Sequence, residues 1–292
     1  AAAIAEYEAI EEVLGRVMSY AQLVFSGDAE DPANGRFYQT MQERATTISS
    51  HLIFFTLELN RLEDAVLDRK CAESAALARF KPWLRDLRVF RPHQLSDEVE
   101  KLLHEKEVTG HSAWNRLFDE TMAGLRFPVG GRSLTSAEAL HLLSDGDRAR
   151  RREAAESISG VLGTNIKAFA LITNTLAKDK EIEDKWRRYP RPISARNLSN
   201  RVEDEVVEAL VSSVRAAFPR ISHRYYAMKA RWFGVEVLDH WDRNAPLPRA
   251  AEPEIGWGRA RDIVLDAYAR FSPELAEVGR RFFDRPWIDA RS

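Results

Sequence analysis

Apolar positions repeat with helical spacing over most of the chain. From Ile10 to Phe25 they recur every three or four residues, which predicts an amphipathic helix. A second stripe, with spacings that alternate between four and three, runs from Phe37 to Val66 after a turn-rich segment at 27–35. Two long helices with a short polar connection between them predict an antiparallel helical hairpin.

The middle of the chain carries start and stop signals for further helices. Prolines bracket a stretch at 82–92 that is predicted to be irregular, and Ser96 is placed to cap the helix that follows it. Gly130 and Gly131 indicate a loop. Thr135 and Glu138 then have the spacing of a capping box, so another helix is predicted from about 136.

The remaining third of the chain continues the same pattern. One long helix is predicted between the break at 145–147 and the prolines at 190 and 192, and others over 207–218, 219–234 and 257–271. Ser272 before Pro273 is typical of another helix start. Period-two alternation is nowhere sustained, so the prediction is an all-α, multi-helix fold with little or no β structure.

Composition excludes several classes of function. The 292 residues include 43 basic and 45 acidic side chains, for a net charge of −2, which does not favour binding to nucleic acid. The arginines at 148 and 150–152 are interpreted as a solvated helix face; nucleic-acid binding through them is the minor alternative. No apolar run reaches the ~18 residues that a membrane span needs. The single cysteine, Cys71, excludes a disulfide framework and favours a reducing compartment, so a cytoplasmic location is predicted.

The sequence contains no complete metal or catalytic motif. His104 precedes Glu105, but position 108 is Val where a zinc-binding helix would carry a second histidine. Asp145 and Asp147 have the spacing that opens a calcium loop, yet Arg150 stands where that loop requires glycine. We therefore predict no metal ligand and no catalytic residue within this chain.

One segment is richer in polar aromatic groups. Tyr225 lies one turn from Lys229, and Tyr226 lies three residues after His223. On a helix, these tyrosine hydroxyls could donate to the backbone carbonyls of a bound peptide, so Tyr225, Tyr226 and Lys229 are the candidates for lining a substrate channel. The alternative is that their apolar bodies pack against neighbours while their polar tips stay hydrated.

Five stretches, in the same order along the chain, resemble the oligoendopeptidase F family of zinc oligopeptidases, which are related to thimet oligopeptidase. These stretches are residues 36–64, 91–127, 196–210, 224–247 and 271–290. The family's zinc motif, His-Glu-x-Gly-His, and its later His/Tyr region would lie beyond the last stretch. The resemblance therefore implies the N-terminal part of such an enzyme, with the helical lobe of a two-lobed body that encloses a channel for short peptides.

The resemblance also implies an organisation and a set of partners. It places an N-terminal helical hairpin region at 1–88, a helical module of the family at 89–155 and the start of the peptidase domain at 156–292. Zinc would be bound by the intact parent enzyme and not by this chain, which would supply channel wall and lid and be inactive alone. Expected partners are short peptide substrates, the missing C-terminal half and further copies of the chain. The alternative is a complete, non-catalytic helical module that binds peptides or a protein.

Overall fold

The computed structural model describes residues 1–247, 255–285 and 287–288. The chain divides into two compact units, Ala1–Pro246 and Leu247–Ser292, and each is described by itself. The first half of the first unit is built from helices α1 (Ala2–Gly27), α2 (Pro32–Ser50), α3 (Ile53–Arg61), α4 (Asp64–Glu73), α5 (Ala75–Ala78), α6 (Lys81–Arg88), α7 (Asp97–Lys106) and α8 (His111–Gly124).

A small antiparallel hairpin then interrupts the helices. Its strands are β1 (Phe127–Val129) and β2 (Arg132–Leu134), with Phe127 opposite Leu134. The rest of the first unit contains α9 (Ser136–His141), α10 (Arg148–Thr164), α11 (Ile166–Arg187), α12 (Ser194–Asn200), α13 (Asp204–Ala217) and α14 (Arg224–Trp232). Short 3₁₀ turns lie at Arg91–His93, Glu107–Thr109, Leu142–Ser144 and His240–Asp242, and a π-helical turn at Pro219–His223. The all-α prediction is confirmed.

The predicted antiparallel pairing of the first two helices is also confirmed. Asp31 caps α2 by accepting the backbone N–H of Ala33 at 2.8 Å, and Pro32 occupies the first helical position. Near the connection, the rings of Phe25 and Tyr38 stack at 5.2 Å. At the other end of α1, the Tyr7 ring lies 5.3 Å from that of Phe55, which is in α3 just after the end of α2, so the chain after the connection runs back along α1.

The single long helix predicted over the second stripe is wrong, because the structure divides it into α2, α3 and α4. Near the first break, the hydroxyls of Ser49 and Ser50 both donate to the carbonyl of Thr46, a local bond that competes with regular helix geometry. At the second break, the carbonyls of Leu59 and Leu62 accept from the Arg88 guanidinium at 2.7 and 2.6 Å. Arg88 thus satisfies carbonyls that the end of α3 would otherwise leave open.

Two further sequence predictions need correction. The stretch at 82–92 is not irregular throughout, since α6 occupies most of it with Pro82 in its first turn, where proline is tolerated. The single helix predicted between 148 and 190 is two helices. They part at Asn165, whose side chain donates to the carbonyl of Val161 at 3.1 Å.

The hairpin turn depends on two glycines. Gly130 has φ +58° and Gly131 has φ +74°, values that residues with a Cβ atom rarely adopt. Positive φ at both central positions is the turn geometry that best matches the twist of paired strands. The expected loop is therefore a two-residue hairpin turn, and the predicted Thr135–Glu138 capping box follows directly after β2.

Two clusters of buried apolar side chains form the core of the first unit. One joins the hairpin to α9 and α10 through Phe127, Val129, Leu134, Ala139 and Ala154. The other is built on Ile4, Cys71 and Leu84, which bring α1, α4 and α6 together. None of the described helices is long and apolar enough to cross a membrane.

Helix α13 leaves its apolar side chains at the surface. None of its side chains is buried, although it carries the predicted apolar stripe. Val206, Leu210 and Val214 are 53%, 63% and 45% exposed, and Ile221 continues the exposed surface into the π-helical turn. We call this surface the α13 stripe.

In the second unit, helices α15 (Trp257–Phe271) and α16 (Pro273–Asp284) pack against each other. Ser272 caps α16 by accepting the backbone N–H of Leu275 at 3.2 Å, as its sequence predicts. Gly279 is buried so closely against Tyr268 that a Cβ atom there would lie 2.9 Å from the ring.

Candidate functional site

Helix α14 presents the two candidate tyrosines at the surface. Tyr225 and Tyr226 are 41% and 38% exposed, and their rings meet edge to face with centroids 5.5 Å apart. The helix follows the π-helical turn, and Gly234 ends the segment with φ +69°, as the sequence predicts. Both side chains are therefore partly open to a ligand. Their role in lining a channel stays a prediction.

Lys229 occupies a different environment from the tyrosines. It is only 2% exposed, and its Nζ donates to the carbonyl oxygen of Arg243 at 2.8 Å. Burial, reinforced by the positive charge of Arg151, lowers the pKa of Lys229 below its ordinary value. The ammonium faces the interior and holds the segment after α14, so this position does not favour contact with substrate.

A buried ion pair lies beside Lys229. The side chains of Arg151 and Asp242 are each 1% exposed, and Nη2 of Arg151 lies 2.8 Å from Oδ1 of Asp242. The same carboxylate accepts from Arg148, at 2.9 Å from its Nη2, and Arg148 also pairs with Asp239 at the surface. The 3₁₀ turn at His240–Asp242 is thereby fixed to α10. We call these four residues the Arg–Asp cluster.

The electrostatics of the Arg–Asp cluster favour the charged forms. Burial alone would raise the pKa of Asp242, but hydrogen bonds from Arg148 and Arg151 outweigh it, so the pKa lies below its ordinary value. Arg151 Nη1 also donates to the carbonyls of Asp145 and Gly146 at 2.8 and 3.1 Å. The cluster positions α14, since Lys229 binds the carbonyl of the residue next to Asp242.

The interpretation of the arginine run as a solvated face is only partly right. The side chains of Arg150 and Arg152 are 66% and 62% exposed, but that of Arg151 is buried. A signal for this was present in the sequence. Arg148 and Arg151 are three residues apart, as are Asp239 and Asp242, so each pair presents two charges of one sign on one side of a helical turn.

The residues that could bind a metal do not converge. Across the described ranges, no group of three or more His, Cys, Asp or Glu side chains is arranged to hold an ion. Nε2 of His104 instead lies 2.7 Å from the Ser49 hydroxyl. Oδ1 of Asp145 accepts the N–H of Asp147, and the Asp147 side chain caps α10. Within residues 1–247, 255–285 and 287–288, the side chains are not arranged to fit a zinc ion.

A groove of about 710 Å³ lies in the first unit where α6, α12 and the start of α13 meet. Its walls include the buried side chains of Ser194 and Asn197 and the charged side chains of Asp86 and Arg201. Sequence analysis missed this groove, because its walls come from segments about one hundred residues apart along the chain.

Comparison with known proteins confirms the family resemblance and the helical fold. Residues 58–127 match the family model described as Oligopeptidase F. Oligopeptidase PepF of Bacillus subtilis (strain 168) is 22% identical over 298 residues, covering 98% of this chain and 44% of the relative. The crystal structure of oligoendopeptidase-F from Enterococcus faecium aligns with a TM-score of 0.76 at 21% identity, covering 94% of this chain and 58% of that chain. The chain thus spans less than half the length of the curated relative.

Proposed function

We propose that this chain is the N-terminal part of a zinc oligoendopeptidase that hydrolyses short peptides within a channel. The observation that carries the proposal is the match to Bacillus subtilis oligopeptidase PepF, which extends over 98% of this chain but only 44% of the relative. The match of residues 58–127 to the Oligopeptidase F model supports the same activity. A cytoplasmic location belongs to this proposal.

Within that enzyme, the chain lines the substrate channel and positions the substrate, and it does not carry out the hydrolysis of the peptide bond. The described residues do not fit a zinc ion, so no catalytic step is assigned to them. Tyr225 and Tyr226 are partly exposed side chains on a helix that the Arg–Asp cluster holds in place. Donation to peptide carbonyls would orient an extended substrate along α14.

The α13 stripe supports a larger assembly. Contiguous apolar surface on a single protein commonly marks an interaction site. We propose that the rest of the longer enzyme covers this stripe, and that isolated chains associate through it.

Cleavage of an internally quenched peptide tests the proposed function. The complete reading frame that encodes this chain is expressed, and hydrolysis is measured with and without a chelator. The 292-residue chain is assayed in parallel. We expect chelator-sensitive cleavage by the longer product only. Tyr225→Phe and Tyr226→Phe in the longer product should raise KM more than they lower kcat, because they remove hydroxyls that bind substrate before and during reaction.

Two outcomes would contradict this proposal. Chelator-sensitive cleavage by the 292-residue chain alone would show that catalysis does not need a second part. A complete reading frame that lacks a His-Glu-x-x-His motif and leaves the peptide intact would instead favour the non-catalytic binding module. The groove beside α12 favours that second candidate, since it is an open concave surface of about 710 Å³ formed entirely by this chain.

A further inference from the structure

The segment between Glu208 and Glu236 carries positive charge and no acidic residue. It contains four arginines, one lysine and one histidine, although acidic residues outnumber basic ones in the whole chain. Three of the arginines are exposed and lie in the π-helical turn or in α14, namely Arg220, Arg224 and Arg231. We call these three residues the arginine row.

The arginine row lies on one side of its helix. Arg224 and Arg231 are about two helical turns apart, and Arg220 precedes Arg224 by about one turn. The opposite side faces the interior, since Lys229 and Ala230 are 2% and 3% exposed. With a rise of about 1.5 Å per residue, the row extends over about 16 Å. A peptide in extended conformation covers that length with about five residues.

The guanidinium groups of the arginine row are not neutralised by protein carboxylates. Within the part of the chain that the structure describes, none of the three makes an ion pair or a hydrogen bond. On α10, by contrast, Arg152 has an acidic partner one turn away, since it lies 2.8 Å from Glu156. Like charges four residues apart, as at Arg220 and Arg224, destabilise a helix. The row therefore does not serve the stability of its own helix, and its charge is available to an anionic ligand.

The surroundings of the arginine row suit a peptide with carboxylate side chains. A guanidinium group offers a planar set of N–H donors that matches the two oxygens of a carboxylate. Tyr225 and Tyr226, both partly exposed, lie next to Arg224 and can donate to backbone carbonyls. Ala227 is exposed on the same side as the row, between Arg224 and Arg231, and its small side chain leaves room for a peptide backbone.

We propose that the arginine row selects short peptides that carry acidic side chains. The guanidinium groups bind two or more carboxylates of a peptide that lies extended along α14, while the two tyrosines donate to its backbone. This inference rests on the proposed function, since it takes the ligand to be a peptide substrate, and it adds a charge preference to that function. The surface lies wholly on residues of this chain and needs no catalytic group.

Equilibrium binding to the 292-residue chain, followed by fluorescence anisotropy, tests the inference. Three hexapeptides carry the same uncharged fluorophore, have both termini blocked, and differ only at two positions, which hold glutamate, glutamine or lysine. In low salt we expect the glutamate peptide to bind about threefold to thirtyfold more tightly than the glutamine peptide, because each exposed ion pair strengthens binding by up to about fivefold. The lysine peptide should bind most weakly. Salt at about 0.5 M should remove most of these differences, because it screens exposed charges.

Matched variants locate the binding surface. Arg224→Gln and Arg44→Gln each remove one positive charge from an exposed helical position, the first within the arginine row and the second on α2. We expect Arg224→Gln to weaken binding of the glutamate peptide by about twofold to fivefold and Arg44→Gln to leave it unchanged. Arg224→Glu should also strengthen binding of the lysine peptide relative to the wild-type chain, a gain that a misfolded variant would not show.

The inference is overturned by equal affinity for the glutamate and glutamine peptides, by equal effects of Arg224→Gln and Arg44→Gln, or by no binding up to about 1 mM peptide. Tighter binding of a thymidine trinucleotide than of the glutamate peptide would also overturn it, because the row would then recognise phosphate. These results are distinguishable from failure of the proposed function, since cleavage is measured on the longer product. A chain that prefers the glutamate peptide while the longer product leaves all peptides intact supports the arginine row and refutes the peptidase.

Discussion

Removing the charge of Asp242 should destabilise the first unit strongly. In Asp242→Asn, the buried guanidinium of Arg151 loses its counter-charge. The new amide NH₂ group can only donate, and it would face the guanidinium N–H groups that donate to the Asp242 carboxylate in the wild-type chain. Breaking a buried ion pair by changing one partner typically costs about 3–5 kcal/mol. Removal of an exposed partner typically costs less than about 1 kcal/mol.

Asp239→Asn is the matched control. Asp239 lies 2.7 Å from Arg148 in the same cluster, but both side chains are nearly half exposed. Urea unfolding followed by circular dichroism should place the midpoint of Asp242→Asn about 1–2 M below that of the wild-type chain, with little change for Asp239→Asn. The comparison requires tryptophan fluorescence to report the same midpoints, because the chain contains two compact units.

A double variant separates the cost of an unpaired buried charge from the cost of altered side-chain packing. Arg151→Met with Asp242→Leu replaces the buried pair by apolar groups, and such replacements are often close to neutral. We therefore expect the double variant to be more stable than Asp242→Asn. The reasoning is refuted if Asp242→Asn and Asp239→Asn have the same free energy of unfolding.

Three further predictions concern other features. Burial alone would raise the pKa of Asp242, but the hydrogen bonds from Arg148 and Arg151 hold it below its ordinary value, so its stabilisation is fully present well above the unfolded-state pKa and is lost as the pH falls through the folded-state pKa. On acidification the free energy of unfolding should therefore fall less in Asp242→Asn than in the wild-type chain, and parallel curves would contradict this. Gly131→Ala should lower the free energy of unfolding, measured in urea, by about 1 kcal/mol, because the φ angle of Gly131 is positive. Gly124→Ala, at the end of α8, should leave the free energy of unfolding unchanged or raise it. Equal effects of the two substitutions would contradict the argument from backbone conformation. The wild-type chain should bind a hydrophobic dye, and it should self-associate in sedimentation-velocity experiments. Leu210→Lys should reduce both dye binding and self-association. Unchanged dye binding in this variant would show that the α13 stripe is not the dye-binding surface.

Features set by neighbouring residues could be predicted from the sequence. The Thr135–Glu138 capping box, the Ser272 cap and the left-handed Gly234 all depend on contacts within a few positions. The spacing of apolar residues likewise predicted helix α13. Spacing alone does not show whether other parts of the protein cover those apolar residues.

Features set by distant residues could not be predicted in this way. The end of α3 depends on Arg88, which lies more than twenty residues away along the chain. Arg151 is buried only because Asp242, 91 positions later, is folded against it. The same applies to the groove, where Ser194 meets α6 only after the chain has folded. In each case the local sequence pattern did not reveal the feature by itself, because a contact between residues far apart along the chain determines it.

The hairpin after α8 bears on how the chain reaches its fold. Phe127, Leu134 and Ala154 join one core cluster across fewer than thirty residues, and the backbone N–H of Gly130 donates to the Glu153 carboxylate at 2.8 Å. Closing short loops loses little chain entropy, so contacts of this kind form early. The second cluster must instead bring Ile4 to Leu84. We therefore expect the strands and α10 to assemble first, and α1 to dock in a later and slower step.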